Sequence, residues 1–263
     1  MTGQVLCTRD GPLARVTLSH PGKLNAMSRA MWRELQTLFV ALQHDATVRC
    51  VVLCGEGGHF CAGGDISEYP AFRFHEADLR EFHERDVWGG LQAVLDCDVP
   101  VLAQIDGNCM GAGVEIASCC DLRLAGASAR FGAPIARLGF PMAPREAAVV
   151  MRAAGAATAA EMLLAAAVLD APTMLQRGFV QHVLPDAALA EETLRLARQV
   201  ATLAPQAARL NKQTIRALNP PLVPVKWPLS AIESIPSDAY RYADSAEHRE
   251  GITAFLEKRP PVF

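Results

Sequence analysis

The sequence predicts an α/β chain, a parallel sheet covered by helices and followed by a helical C-terminal region. Through the N-terminal two-thirds, short β-branched runs alternate with helical periodicity, and strand–helix–strand repeats imply parallel strands with helices on the sheet faces. After Pro144 the character changes: Ala-rich and Leu-rich amphipathic segments follow one another with hardly a strand among them. At 263 residues with 51% hydrophobic content, the chain can bury a substantial core.

The elements follow in order. LARVTLS (13–19) and RCVVLCG (49–55) read as strands, with a helix over 28–44 between them and Ser28 as its N-cap. A helix over 75–95 precedes VPVLAQIDG (99–107), an apolar run short enough for a buried strand. Beyond Pro144, segments 145–153, 158–166, 172–177, 186–203, 205–218 and 245–257 fit helices, broken by Gly155, Pro172, Pro185, Pro205 and the Pro220-Pro221 pair. The stretch PPLVPVKWP (220–228) reads as a linker or exposed loop. There is no internal repeat or low-complexity tract.

Composition narrows the function classes. A formal charge of −3 gives no overall drive toward nucleic acid or an anionic membrane surface, so an anionic ligand must be held by local groups. No segment offers the roughly 18 unbroken apolar residues of a membrane helix, and the first residues lack a basic start followed by an apolar run. The expectation is a cytoplasmic, soluble protein. Eight scattered cysteines in a chain of this length read as buried reduced thiols, and the histidines show no metal-ligand spacing, so no metal is expected.

The chemistry concentrates in two glycine clusters. Ala62, Gly63 and Gly64 follow the strand ending near Leu53, where ligands gather at the carboxyl ends of strands; the same loop would also serve as a tight turn. Gly111, Ala112 and Gly113 follow the next strand and open a helix, whose N-terminus presents unsatisfied N–H groups and a partial positive charge. The amides of Gly64 and Ala112 are thus natural donors to a developing oxyanion. Glu115 lies about one helical turn beyond Ala112, placed either for proton transfer or simply as a first-turn acid that favours the helix dipole. Neither GxGxxG nor GxxxxGK[ST] is present, which argues against a dinucleotide site or a P-loop.

The ordered segments HPGKLNAM (20–27), FCAGGDISE (60–68), DGNCMGAGVEIASCCDLRLA (106–125), FGAPIARLGF (131–140) and FLEKRPPVF (255–263) resemble the enoyl-CoA hydratase/isomerase, or crotonase, superfamily over almost the whole chain. The resemblance implies a crotonase-like (ClpP/crotonase) fold of repeated ββα units over 1–200 and a helical trimerisation region over 201–263. It implies an acyl-CoA thioester as substrate, with coenzyme A as part of that substrate and no separate cofactor. It also implies a homotrimer or a dimer of trimers. The thioester oxygen maps between the amides of Gly64 and Ala112, the latter standing where many members have glycine. Lys23, Asn25, Ala26, Ala62, Asp65 and Ile66 map to the adenine and pantetheine path, Gly111, Pro134 and Ile135 to the substrate site, and Lys258 to a lysine that reaches the nucleotide phosphates. That lysine comes in some relatives from a neighbouring subunit.

One departure matters for the reaction. Hydratases of this family use two glutamates to hold and activate water; the first maps to Glu115, the second to Ile135, which can neither hydrogen-bond water nor exchange a proton. Three readings are open: Glu115 acts alone, in slow hydration or a double-bond shift; Glu146 replaces the missing acid, although after Pro144 it also reads as an ordinary first-turn residue; or the pocket serves another thioester reaction. Enoyl-CoA hydration is the leading expectation, isomerisation the runner-up, and a degraded acyl-CoA binder the alternative class. Tyr69, Trp88 and Trp227 read as packing groups.

Overall fold

A computed structural model describes residues 2–218 and 239–263; the expected loop at 220–228, with Trp227, lies outside the described residues. Nine strands are described: β1 (Gln4–Asp10), β2 (Leu13–Ser19), β3 (Cys50–Gly55), β4 (Val101–Ile105), β5 (Asn108–Met110), β6 (Leu122–Gly126), β7 (Arg130–Gly132), β8 (Val168–Asp170) and β9 (His182–Leu184). Six form one sheet in the order β1-β2-β3-β4-β6-β9, in which β1 and β2 pair as an antiparallel hairpin and every other pair is parallel. The short strands β5, β7 and β8 form a second sheet beside it.

The run CVVLCG of β3 is apolar at successive positions because both faces of the sheet are covered. Val51 and Leu53 face a core containing Trp32, Leu35 and Phe39 of the helix Arg29–His44. Cys50 and Val52 face the other way, onto Leu189, Ala197 and Ala201 of the helix Asp186–Thr202. The first of these helices starts as expected, with the Ser28 hydroxyl accepting from the Met31 N–H at 3.2 Å.

The helix expected over 75–95 is present as three consecutive segments, Glu76–Glu81, a π-helical turn at Phe82–Val87, and Trp88–Asp96. Such a turn carries one extra residue per hydrogen-bonded ring and is frequent at functional sites. Here it buries Phe82, His83, Asp86 and Val87.

The C-terminal helices fall at Pro144–Ala154, Ala156–Leu164, Ala171–Gln176, Asp186–Thr202, Pro205–Leu218 and Ala246–Leu256, close to their expected places. Strands β8 and β9 were not expected, because three residues each are too few to show alternation. The expected division at residue 200 falls in the last turn of the helix that packs on the main sheet. Helix Ala246–Leu256 lies against the turns Ile66–Ala71 and Ile135–Leu138, and a Cβ on its Gly251 would strike the Leu138 carbonyl. The C-terminal helix thus packs on the turn that follows the first glycine cluster and on the turn that begins at Ile135.

Candidate active site

The two glycine clusters meet. Cys61 pairs in parallel with Cys109 of β5: its N–H donates to the Asn108 carbonyl at 2.9 Å and its carbonyl accepts from the Met110 N–H at 2.9 Å. On the other side, the Gly63 carbonyl accepts from the Met27 N–H and the Asp65 N–H donates to the Met27 carbonyl, each at 2.8 Å. Gly63 (φ 116°) and Gly111 (φ 46°) adopt backbones that L side chains rarely take, and a Cβ on Gly111 would lie only 3.7 Å from the Gly63 Cα. Ala112 is the first residue of the helix Ala112–Cys119, whose opening amides have no intrahelical acceptor. Among the described residues neither the Gly64 nor the Ala112 N–H donates to a protein acceptor. Two free donors therefore sit on loops that touch.

Both loops line a cavity of about 640 Å³ that also takes in Glu115, Lys23, Ala26, Ala62, Asp65, Ile66, Gly111, Pro134 and Ile135. Lys23 donates to Asp65 (2.6 Å) and to the Ser67 hydroxyl (2.8 Å), tying the loop 20–27 to the start of the turn Ile66–Ala71. Burial raises the Asp65 carboxyl, but the hydrogen bonds from Lys23 and Ser67 outweigh it and hold the group below its ordinary value. Two mapped residues stand apart from the cavity lining. Asn25 is buried, where its side chain accepts from the His20 N–H and donates to the carbonyls of Glu56 and His59, clamping a left-handed turn (φ 61°). Lys258 is exposed just past the last helix with φ 55°, while its neighbour Arg259 lines the cavity.

Ile135 is half-buried on the wall, and the structure brings a different acid into the same space. Glu146, in the first turn of Pro144–Ala154, is 3% exposed, and Glu115 is 7% exposed. Burial, and then the charge of Glu146, push Glu115 well above the ordinary carboxyl range, with Arg73 pulling the other way. Burial pushes Glu146 up to about 8, against the opposing charge of Arg73. With both carboxyls raised, the pair loses its protons in two successive steps, and the state between them carries one proton and one negative charge.

Three further residues at the site were not anticipated from the sequence. The buried Tyr69 packs edge-on against Phe72, Phe82 and Phe140 as expected of a packing group, but its hydroxyl also abuts Gly64, where a Cβ would collide with it. Burial pushes this phenol up to about 12. Arg73 and His83 line the cavity as well. Neither is singled out by the sequence; in FRFHEADLREFHE the neighbouring Phe72, Phe74 and Phe82 are the signal that could have hinted at their burial. His83 Nε2 accepts from Arg73, so Nδ1 donates to Glu146 Oε1 at 2.7 Å; burial and the charge of Arg73 pull the imidazole well below the ordinary histidine value, so the contact is a hydrogen bond from a neutral ring rather than an ion pair. Among the described residues no group of three His, Cys, Asp or Glu could hold a metal ion, and no helix is long and apolar enough to cross a membrane.

Known proteins resemble this chain over nearly its whole length. Residues 8–263 match the enoyl-CoA hydratase/isomerase family model. A mevalonyl-coenzyme A hydratase of Beauveria bassiana is 30% identical over 94% of this chain and 90% of its own length. A short-chain-enoyl-CoA hydratase of Clostridium acetobutylicum is 29% identical over 97% of this chain and 95% of its own. The crystal structure of an enoyl-CoA hydratase/carnithine racemase from Magnetospirillum magneticum superposes with a TM-score of 0.80 at 35% identity, covering 100% of this chain and 96% of that one. Together with the paired loops and the α/β architecture, these likenesses establish that the chain belongs to the enoyl-CoA hydratase/isomerase, or crotonase, family of acyl-CoA enzymes.

Proposed function

We propose that the protein adds water to an enoyl-CoA thioester, with Glu115 and Glu146 as the acid–base pair. The observation that carries this reading is the presence of both carboxyls, buried and both raised above the ordinary carboxyl range, in the cavity lined by the two free amides. The thioester oxygen is placed between the Gly64 and Ala112 N–H groups, which draw electron density from the double bond and make Cβ electrophilic. The ionised carboxyl takes a proton from water as its oxygen bonds to Cβ. The π electrons move to form the enolate, and the protonated carboxyl then delivers its proton to Cα. The pair ends with its proton exchanged between members and no net charge change. Water addition is redox-neutral, so the reading draws on no cofactor beyond the CoA carried by the substrate.

The second acid favours hydration over a double-bond shift by Glu115 alone. Lys23, Ala26, Ala62, Asp65 and Ile66 line one side of the cavity and support a path there for the pantetheine arm. The proposal extends to a homo-oligomer, trimeric or a dimer of trimers. Helix Pro205–Leu218 docks on its own chain through polar groups, with Arg209 on the carbonyls of Gln43 and Asp45, Lys212 on Val99 O and Arg216 on Asp98. It leaves Leu210, Ile215 and Leu218 more than half exposed. Eight unpaired cysteines, seven of them buried, are consistent with a reducing cytoplasm.

Steady-state hydration of crotonyl-CoA tests the reading. Removing either member of the pair should lower kcat by about 10²–10⁴, the usual worth of a positioned acid or base, in Glu115→Gln and in Glu146→Gln. Wild-type hydration by Glu146→Gln would return the chemistry to Glu115 alone, and tight binding without turnover of any enoyl-CoA would make the protein a binder.

A further inference from the structure

Arg73 follows the turn Ile66–Ala71 and is fully buried at the cavity wall. The Tyr69 and Phe140 rings stack near its guanidinium, at 4.4 Å and 4.2 Å to their centroids. Its hydrogen-bond partners are all uncharged: His83 Nε2 at 3.2 Å, His248 Nε2 at 3.4 Å and the Tyr242 hydroxyl at 3.2 Å. The tautomers are set by the far side of each ring. His248 Nδ1 lies 2.8 Å from the Ala243 carbonyl and must donate to it, which leaves Nε2 to accept from Arg73. By the same logic His83 accepts from Arg73 at Nε2 and donates from Nδ1 to Glu146 at 2.7 Å.

Among the described residues Arg73 makes no ion pair, so a full positive charge is buried with no carboxylate in contact. Burying a charge in this way is costly unless an opposite charge compensates it nearby. The titratable and charged groups around it are Glu115, Glu146, Glu84, His83, His248, Tyr69 and Tyr242, and of the carboxyls only Glu146 is joined to it through a hydrogen-bonded chain.

We infer that Arg73 and His83 are positioning residues for the reaction: Arg73 is the fixed cation that lets the Glu115–Glu146 pair keep one negative charge, and neutral His83 is the bridge that orients Glu146. This rests on the acid-pair reading above. Once the pair has lost its first proton, one cation and one shared negative charge make the inner cavity neutral, and that state is the one Arg73 favours without touching a carboxylate. Both carboxyls are pulled down by Arg73 against the upward push of burial, so its loss raises both.

The test is the pH dependence of kcat with crotonyl-CoA in Arg73→Met, Arg73→Lys and His83→Asn, each checked for folding by circular dichroism. In Arg73→Met the acid limb moves up by at least about one pH unit, so kcat at neutral pH falls about tenfold or more and is regained as pH rises, while KM stays within about threefold. Arg73→Lys restores the limb. His83→Asn keeps the cation and a donor near Nδ1 but loses the acceptor for Arg73, so kcat falls with a smaller shift of the limb. An unmoved limb in Arg73→Met overturns the inference. So does a selective loss of activity on a carboxyl-terminated enoyl-CoA with crotonyl-CoA unaffected, which would make Arg73 a binder of an anionic acyl chain. Should Arg73→Met not fold, the infrared titration of the Glu146 carboxyl, assigned by its loss in Glu146→Gln, decides: it must move in His83→Asn and return toward wild type in Arg73→Lys, and unmoved bands overturn the inference. Full activity of Glu146→Gln would instead sink the acid pair itself, so the two failures are distinguishable.

Discussion

Gly113→Ala probes the contact on which oxyanion stabilisation depends. A Cβ built on Gly113 lies 2.7 Å from the Cys61 carbonyl oxygen and 3.1 Å from the Cys61 Cβ. Ordinary contact begins near 3.4 Å, so about 0.7 Å of separation must be found between the helix Ala112–Cys119 and the loop carrying Gly64. Neither side yields easily, because the obstructing atoms are backbone and Cys61 is held at both its N–H and its carbonyl by the strand that leads into the helix. Added to a donor distance of about 2.9 Å, such a shift takes one hydrogen bond beyond the useful range. Losing one oxyanion donor costs roughly 10²–10³ in kcat. Overpacking costs about 1–3 kcal/mol of stability, which a typical domain survives. The expected result is a folded variant whose crotonyl-CoA hydration, followed by loss of the enoyl thioester absorbance, is slowed at least about a hundredfold, with KM changed by less than about threefold. A folded Gly113→Ala enzyme with wild-type kcat would refute the claim that these two loops jointly hold the thioester oxygen.

Two further outcomes follow from the same structure. Glu146 is raised in the folded state from the ordinary carboxyl value to about 8, and Glu115 is raised in the same direction. The stability they contribute is whole below the unfolded carboxyl value and is lost as pH rises through the folded one; Tm should therefore fall between about pH 5 and 9, and fall less steeply in Glu146→Gln. A Tm that rises across that window contradicts buried, protonated carboxyls. Separately, Leu210→Glu together with Ile215→Glu should reduce the mass found by sedimentation equilibrium to that of one chain, since the helix that carries them is anchored to its own subunit by polar groups. An unchanged oligomer would place the interface elsewhere.

Much of this molecule is local and is legible as such. β-branched runs, helical periodicity and the Ser28 cap locate β2, β3, β4 and the longer helices to within a few residues, while β1 and β6 were not anticipated. The glycines at 63, 64, 111 and 113 announce a close approach of backbone because few other residues tolerate it. The ordered motifs identify the family, and with it the roles mapped to Gly64, Ala112 and Glu115. Three-residue strands such as β8 and β9 escape notice because they acquire their hydrogen bonds from distant partners rather than from any pattern of their own.

The sequence alone determined the α/β class, the family and one candidate acid; only tertiary structure brings a second buried carboxyl, Glu146, into the cavity that Ile135 lines. Glu146 reads locally as a helix-start residue, and nothing in the local pattern marks Arg73 and His83. They become a buried Arg73–His83–Glu146 chain because a π-helical turn, a short turn after the first glycine loop and the start of a C-terminal helix converge on one cavity. The meaning of a charge depends on its burial and on which charges share its low-dielectric surroundings, and both are set by tertiary contacts such as that of His83 with Glu146, 63 positions away.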